Sequence, residues 1–169
     1  MKRIWIAGSA GSGKTTIANI MGERLNIPVY HRDYITWDKD SNKQRAEDEQ
    51  IVITKNVTQT SKWIFEGARF SASKIDGRLD KCDTIIHLSI NRFTCLYRAI
   101  KRAWQKSRNN DLIEIDRQPF CYELFKYILF NYPRKHKQRS EIFEIAKSKG
   151  INIIIIRNSK EIIRFLENI

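Results

Sequence analysis

The chain has 169 residues, of which 41% are hydrophobic and 11% aromatic, and this length predicts one domain covering residues 1–169. Such a composition excludes an intrinsically disordered protein, and three cysteines without paired spacing exclude a disulfide-stapled scaffold or a zinc site. The formal net charge of +12 at pH 7 indicates an anionic partner, which is a nucleotide, a nucleic acid or a membrane surface.

The first half of the chain alternates short apolar runs with amphipathic segments. A buried strand is predicted at 4–7, followed by a glycine-rich loop. The apolar positions after the loop recur at helical spacing: Ile17, Ile20, Met21 and Leu25. Strands are also predicted at 27–31 and 62–67, and the polar stretch 38–50 between them is either a loop or the exposed start of a helix running to about Thr60.

The second half continues this alternation. Strands are predicted at 84–90 and 151–156, and the polar segment 107–119 is interpreted as a loop or flap. Helices are predicted at 92–106, at 120–131, at 134–148 after Tyr132-Pro133, and from the cap residue Ser159 onward. Strands that alternate with helices predict βαβ units, and therefore an α/β fold with a parallel sheet covered on both faces.

A phosphate-binding loop follows the first predicted strand. The pattern GxxxxGK[ST] is matched by Gly8, Ser9, Ala10, Gly11, Ser12, Gly13, Lys14 and Thr15, with Thr16 next. Glycines let successive backbone N–H groups turn inward around an anion, and the following helix adds the positive end of its dipole. The motif predicts that Lys14 contacts the β- and γ-phosphates of a nucleotide and that Thr15 binds Mg²⁺.

Several classes of P-loop protein are disfavoured. The sequence NKQR at 42–45 lacks the aspartate of the guanine-reading NKxD, and no DxxG switch sequence is present, which disfavours a GTPase. No Asp-Glu pair ends a predicted strand, which disfavours a helicase-type ATPase. HRDYITWD at 31–38 is similar to the protein-kinase catalytic loop, but Asp38 replaces its asparagine and the chain is too short for that fold.

Two carboxylates are predicted at the carboxyl ends of parallel strands, where ligands bind. Asp33 follows the second strand and is a candidate base for the attacking hydroxyl; otherwise it is a helix cap or a surface acid. Glu66 ends the third strand and is a candidate to hold a Mg²⁺-bound water or a substrate group; otherwise it is a turn residue before Gly67.

Basic residues concentrate between positions 92 and 139, where twelve Lys or Arg accompany four Asp or Glu. The predicted helix and flap carry Arg98, Arg102, Lys106, Arg108 and Arg117. The first three are four residues apart and so line one helix face. An arginine on a closing flap stabilises a transferring phosphoryl group in many kinases, whereas the alternative interpretation is a solvated basic face.

Five segments carry a family resemblance. They are RIWIAGSAGSGKTTIA, IPVYHRDYITWD, KWIFEGARFS, DTIIHLSINRFTCLYRAIKR and FNYPRKHKQR. In this order they resemble bacterial topology modulation proteins of the FlaR type, which are similar to adenylate kinase and shikimate kinase. The resemblance implies a three-layer P-loop NTPase fold, with a five-stranded parallel sheet of order 2-3-1-4-5, helices on both faces and a small helical lid. It also implies that the protein binds ATP and Mg²⁺ as cofactors.

The resemblance implies roles for single residues as well. Catalysis would involve Lys14, Asp33, Arg98, Arg102 and Arg108. Substrate contacts would come from Asp33, Glu66 and Arg69, and Glu66 would also approach the metal through water. One departure concerns Phe70, which stands where adenylate kinases have an arginine, while Arg69 lies one position earlier. A nucleoside monophosphate acceptor is therefore not implied.

Two functions remain open from the sequence. The first is an ATP-dependent kinase acting on a nucleotide or another small anionic or hydroxyl acceptor. The alternative is a nucleotide-regulated, nucleic-acid-associated protein that modulates DNA topology without kinase activity. The apolar run before the glycines is too short for a signal peptide, so a cytoplasmic location and no membrane partner are expected. Monomer and homodimer are equally compatible with the sequence.

Overall fold

The computed structural model describes residues 1–38, 41, 43–109 and 122–169, and it describes 106–109 by their backbone alone. The strands are β1 Arg3–Gly8, β2 Val29–His31, β3 Trp63–Glu66, β4 Thr84–Leu88 and β5 Asn152–Ile156. The helices are α1 Lys14–Leu25, α2 Arg32–Thr36, α3 Glu47–Thr58, α4 Arg78–Lys81, α5 Arg92–Asn109, α6 Tyr122–Lys126, α7 Tyr132–Arg134, α8 His136–Ser148 and α9 Ser159–Glu167. A π-helical turn, Tyr127–Asn131, joins α6 to α7.

All five strands form one parallel sheet of order β2-β3-β1-β4-β5. This order confirms the predicted topology. The register pairs Ile6 of β1 with Glu66 of β3, and Gly8 with Leu88 of β4. Because parallel strands end at the same edge of a sheet, the loops after β1, β2 and β3 open side by side.

Alternating side chains of the central strands pack against helices on opposite faces of the sheet. Ile4 and Ile6 pack with buried residues of α1 and partly buried residues of α9. Trp5 lies on the other face, where it packs with buried residues of α2, α3, α4 and α8. Each large apolar side chain buried in this way contributes about 1.5–3 kcal/mol relative to exposure. The resulting three layers are the P-loop NTPase fold that was predicted.

Several predicted boundaries were wrong. Helix α5 continues to Asn109, so residues 107–109 belong to the helix and not to the predicted flap. The remainder of that flap, 110–119 with Arg117, lies outside the described residues, as does Cys121. The helical break falls at Lys135 instead of Tyr132-Pro133, because proline fits the first turn of a helix, where no N–H donor is needed.

The predicted cap of the last helix was also wrong. Asn158 is the N-cap of α9, and its side-chain oxygen accepts a 3.0 Å hydrogen bond from the Glu161 amide. Ser159 is the first helical residue instead. The short helices α2 and α4 were not predicted, and the polar stretch 38–50 becomes helical only from Glu47. No helix among the described residues is both long enough and apolar enough to cross a bilayer.

Candidate phosphate-binding site

The loop between β1 and α1 has a backbone shape that only glycine adopts readily. Gly11 and Gly13 have φ values of +75° and +95°. A Cβ atom on Gly11 would lie 2.2 Å from the carbonyl oxygen of Cys95 in α5, so the loop and α5 are in close contact. Gly13 is the N-cap of α1 and no side chain caps it. The first amides of α1 therefore have no helical acceptors and form an anion-binding end.

Two buried hydroxyls in this loop lack hydrogen-bond partners. They are the Oγ atoms of Ser9 and Ser12. A Cβ atom on Gly8 would lie 2.7 Å from the Ser12 hydroxyl, which places that hydroxyl inside the loop. A buried donor without an acceptor is costly, and phosphate oxygens would satisfy it. The residues of the loop thus fit a bound phosphate group.

Lys14 is folded back over its own loop. Its Nζ donates a 2.9 Å hydrogen bond to the carbonyl oxygen of Ser9 and lies 3.6 Å from Oε1 of Glu66. The second carboxylate oxygen of Glu66 lies 3.3 Å from Nδ1 of His31, at the end of β2. The carboxylate of Glu66 therefore joins the loop after β1 to the end of the β2 strand.

Glu66 is only 6% exposed and is nevertheless held in its charged form. Burial raises the pKa of Glu66, but the hydrogen bond from His31 and the charge of Lys14 outweigh it, so the net pKa is below its ordinary value. A buried, ionised carboxylate next to a P-loop lysine can accept hydrogen bonds from water or from a substrate hydroxyl.

Arg98 is the one predicted catalytic arginine whose described contacts reach the loop. Its guanidinium donates to the carbonyl oxygen of Ser12 at 3.4 Å and to Oγ of Ser159 at 2.9 Å. Arg102 lies one turn later on α5 and is exposed. The side chains of Arg108 and Lys106 lie outside the described residues.

The residues that would hold a magnesium ion are consistent with its chemistry. Thr15 lies exposed in the first turn of α1, and Thr16 is exposed beside it. Within the described ranges, no group of three or more His, Cys, Asp or Glu side chains is arranged to hold a metal. Magnesium bound with a nucleotide takes most of its ligands from phosphate and water and needs only one or two protein oxygens. Thr15 and Glu66 meet that requirement.

The two remaining predicted substrate residues lie beyond β3. Asp33 is exposed on the first turn of α2, where its charge acts on Arg32 and Tyr127. Arg69 forms an ion pair with Glu47 and donates to Oε1 of Gln50 at 3.3 Å. The structure therefore groups Lys14, Glu66 and Arg98 at the loop and places Asp33 and Arg69 toward α2 and α3.

Three important side chains were missed from the sequence. Arg78 is 1% exposed; its guanidinium pairs with Asp76 and lies 4.8 Å and 4.7 Å from the ring centroids of Trp5 and Phe65. The segment around it is polar and aperiodic, so no pattern indicated burial. His31 and Arg32 were seen only as part of the kinase-like HRD sequence.

Comparison with solved structures shows that the chain shares its fold with shikimate kinases. Shikimate kinase from Acinetobacter baumannii in complex with shikimate superposes with a TM-score of 0.60 at 14% identity, over 99% of this chain and 90% of that one. Shikimate kinase from Bacteroides thetaiotaomicron superposes with a TM-score of 0.59 at 16% identity, over 99% of this chain and 95% of that one. Shikimate kinase from Aquifex aeolicus superposes with a TM-score of 0.55 at 16% identity, over 98% of this chain and 92% of that one. No protein-family model and no curated protein matches the sequence.

Proposed function

We propose that the chain is an ATP-dependent phosphotransferase that moves the γ-phosphate of ATP to a small-molecule or nucleotide acceptor. The observation that carries the proposal is Lys14, held 3.6 Å from the buried carboxylate of Glu66 at the mouth of an uncapped phosphate loop. The fold that the chain shares with shikimate kinases supports the same reaction class.

The loop residues would bind the phosphates of ATP. The amides at the start of α1 and the orphan hydroxyls of Ser9 and Ser12 would donate to phosphate oxygens, and Lys14 would exchange its bond to Ser9 for one to the β- and γ-phosphates. Thr15 would hold Mg²⁺ directly and Glu66 would hold it through water. Magnesium, when bound, neutralises phosphate charge.

The residues facing the acceptor would handle its proton and orientation. Asp33 would accept the proton of the attacking hydroxyl, since it lies at the end of β2 next to the strand that carries Glu66. Arg98, which already donates to Ser12 of the loop, would stabilise charge on the transferring phosphoryl group, with Arg102 and Arg108 as further candidates. A lid at about 107–119 would exclude water.

A coupled assay of ADP release tests the reaction. ATP and Mg²⁺ are supplied with a panel of nucleosides, nucleoside monophosphates and small hydroxy acids. At least one acceptor should stimulate ADP release, and Asp33→Asn should lower the stimulated rate about 10²–10⁴-fold. Glu144→Gln, at an exposed position on α8, serves as the matched control.

ADP release, measured together with DNA affinity at rising salt, also separates the proposed kinase from the alternative. A nucleic-acid-associated protein of the topology modulation type would bind ATP and DNA, with DNA affinity falling steeply as salt rises, and would release no ADP with any acceptor. That combination would refute the kinase proposal. A cytoplasmic location and a single domain remain parts of the same proposal.

A further inference from the structure

A second cluster of cations lies next to the phosphate loop. It lines a pocket between α2, α3 and the segment after β3. The charged and polar residues of this lining are Arg32, Gln50, Thr54, Arg69, Asp76 and Arg78. Three arginines around one small cavity repel one another unless anions balance them.

Two of the three arginines have carboxylate partners within the protein. Arg78 donates to Asp76 at 2.7–3.0 Å and to the backbone carbonyl of Arg69 at 2.8 Å. Arg69 pairs with Glu47. The side chain of Glu47 is 65% exposed, so this second pair lies in water and contributes little energy. An incoming anion can therefore displace Glu47 from Arg69 at small cost.

Arg32 is the third arginine, and among the described residues its guanidinium has no hydrogen-bonded acceptor. Its aliphatic stem packs on Gly67, where an added Cβ atom would lie 2.6 Å from Cβ of Arg32. Burial, then the charges of Arg69 and Arg78, lower the pKa of Arg32, and the opposing effect of Asp33 is smaller. A partly buried cation in this state gains from a bound anion.

The pocket also has the right place in the fold for an acceptor. Gly67, on which Arg32 packs, directly follows Glu66, and Glu66 contacts Lys14 of the phosphate loop. The sheet order sets the loop after β1 next to the end of β3 and the end of β2 beyond it. An acceptor anchored at Arg32 would therefore lie on the β2 side of the bound phosphates, next to Asp33.

We infer that the phosphate acceptor carries an oxyanion, either a carboxylate or a phosphate monoester, and that Arg32 and Arg69 bind it. This inference rests on the proposed function and names the substrate class of the same site. Arg78 is not part of the clamp, since Asp76 and two aromatic rings already hold it. The oxyanion fixes one end of the acceptor so that its hydroxyl faces the phosphate loop.

The first experiment measures anion binding without turnover. Inorganic phosphate is titrated by calorimetry into protein saturated with Mg²⁺ and a non-hydrolysable ATP analogue, so that the phosphate loop is already occupied. Arg32→Gln should weaken this binding about 10–100-fold, and Arg32→Lys should keep part of it. Arg164→Gln, on the exposed end of α9, should bind as the wild type does. The inference would be overturned if inorganic phosphate did not bind to the protein saturated with the ATP analogue, or if Arg32→Gln bound phosphate as tightly as the wild type.

The second experiment identifies the source of the oxyanion. ADP release is compared for hydroxy acids, phosphate monoesters and neutral alcohols, and the class that is phosphorylated is the acceptor class. Arg32→Gln should raise the KM of that acceptor at least about tenfold and leave the KM of ATP unchanged. Neutral alcohols that react as well as anions would contradict the inference. Arg32-dependent phosphate binding without transfer to any acceptor would refute the kinase and leave the anion site intact.

Thermal unfolding shows whether the variant is folded. Arg32→Gln should melt within a few degrees of Arg164→Gln, because the Arg32 guanidinium makes no hydrogen bond to described residues that folding would lose. If Arg32→Gln does unfold, Arg32→Lys replaces it in both experiments. Reduced anion affinity in that folded variant supports the inference, and unchanged affinity overturns it.

Discussion

The two halves of the candidate site are built in different ways. The phosphate side consists of the contiguous loop Gly8–Thr15 and uses mostly backbone groups. The proposed acceptor side has Arg32 and Arg69 as its anion-binding side chains, with Arg78 held beside them by Asp76, and these arginines come from separate segments. A site made from consecutive backbone groups leaves a sequence motif, whereas a site assembled from distant side chains leaves none.

The two sides also balance their charges differently. On the phosphate side the cation Lys14 has a buried carboxylate within 3.6 Å and backbone oxygen within hydrogen-bonding distance. On the acceptor side a buried ion pair holds Arg78, while Arg32 has no hydrogen-bonded acceptor among the described residues. The charge of Lys14 is therefore balanced before a ligand binds, whereas that of Arg32 would be balanced by the ligand, so mutations should affect the two sides in different measurements.

The largest expected effect is on the stability of the acceptor side. Arg78→Ala leaves the carboxylate of Asp76 buried without its partner and removes the cation between two aromatic rings. The free energy of unfolding should fall by about 3–5 kcal/mol. Urea unfolding measures it, and the double variant Arg78→Met with Asp76→Leu should recover part of the loss. Equal stability of Arg78→Ala and the wild type would show that this ion pair does not hold the acceptor side.

The next effect is on the chemistry of the phosphate side. Lys14→Ala removes the cation that the nucleotide phosphates would contact, and the rate of ADP release should fall about 10²–10³-fold. Phosphate binding at Arg32 should survive, because the acceptor side has its own cations. Lys62→Ala, an exposed lysine before β3, is the control. If Lys14→Ala lost both ADP release and phosphate binding at Arg32, the two sides would not act separately.

A third prediction tests whether the backbone shape of the phosphate side depends on close contact with α5. Gly11 and Gly150 both have positive φ, but an added Cβ would meet the Cys95 carbonyl at Gly11 and nothing within 4 Å at Gly150. Gly150→Ala should cost about 1 kcal/mol from backbone strain alone. Gly11→Ala should cost about 1–3 kcal/mol more, because the loop or α5 must shift. Equal melting temperatures of Gly11→Ala and Gly150→Ala would show that the loop and α5 move apart without a measurable loss of stability.

The phosphate side and the parallel sheet could be predicted from sequence because their signals are local, whereas the order of the strands came from the family resemblance. The loop is a spacing pattern, and the alternation of Ile4, Trp5 and Ile6 between two helical layers marks a central parallel strand. Glu66 was also found in this way, since it directly ends a predicted strand. Its partner His31 was missed, because only the pairing of β2 with β3 brings it within 3.3 Å.

The acceptor side could not be predicted in the same detail because its signals are not local. Arg78 lies in a polar segment that resembles a surface loop, and only the folded chain shows it between Trp5 and Phe65. The short helices α2 and α4 have too few residues to show a helical period. Arg69 was proposed as a substrate residue by resemblance and stays a prediction, as do Asp33 and the arginines of the lid.

The last effect concerns a buried histidine of β4, on the opposite side of β1 from β3. His87 pairs in register with Ala7, just before the phosphate loop, and its ring contacts Phe70 and Phe143. Burial and the charge of Arg139 lower the pKa of His87 from 6.5 to about 4, against a hydrogen bond with the backbone of Ala7 that raises it. Below pH 6.5 the unfolded chain therefore binds a proton that the folded chain does not, and stability falls as pH decreases toward 4.

At pH 5 this single group should have removed about 2 kcal/mol of the stability that is present at pH 7. His87→Phe replaces the imidazole with another ring and abolishes the titration, so its stability should fall less between the two pH values than that of the wild type. Urea unfolding at pH 7 and pH 5 measures the difference, and the other titrating groups cancel between the two proteins. If both proteins lost the same stability, His87 would not be a group that makes the folded chain sensitive to acid in this pH range.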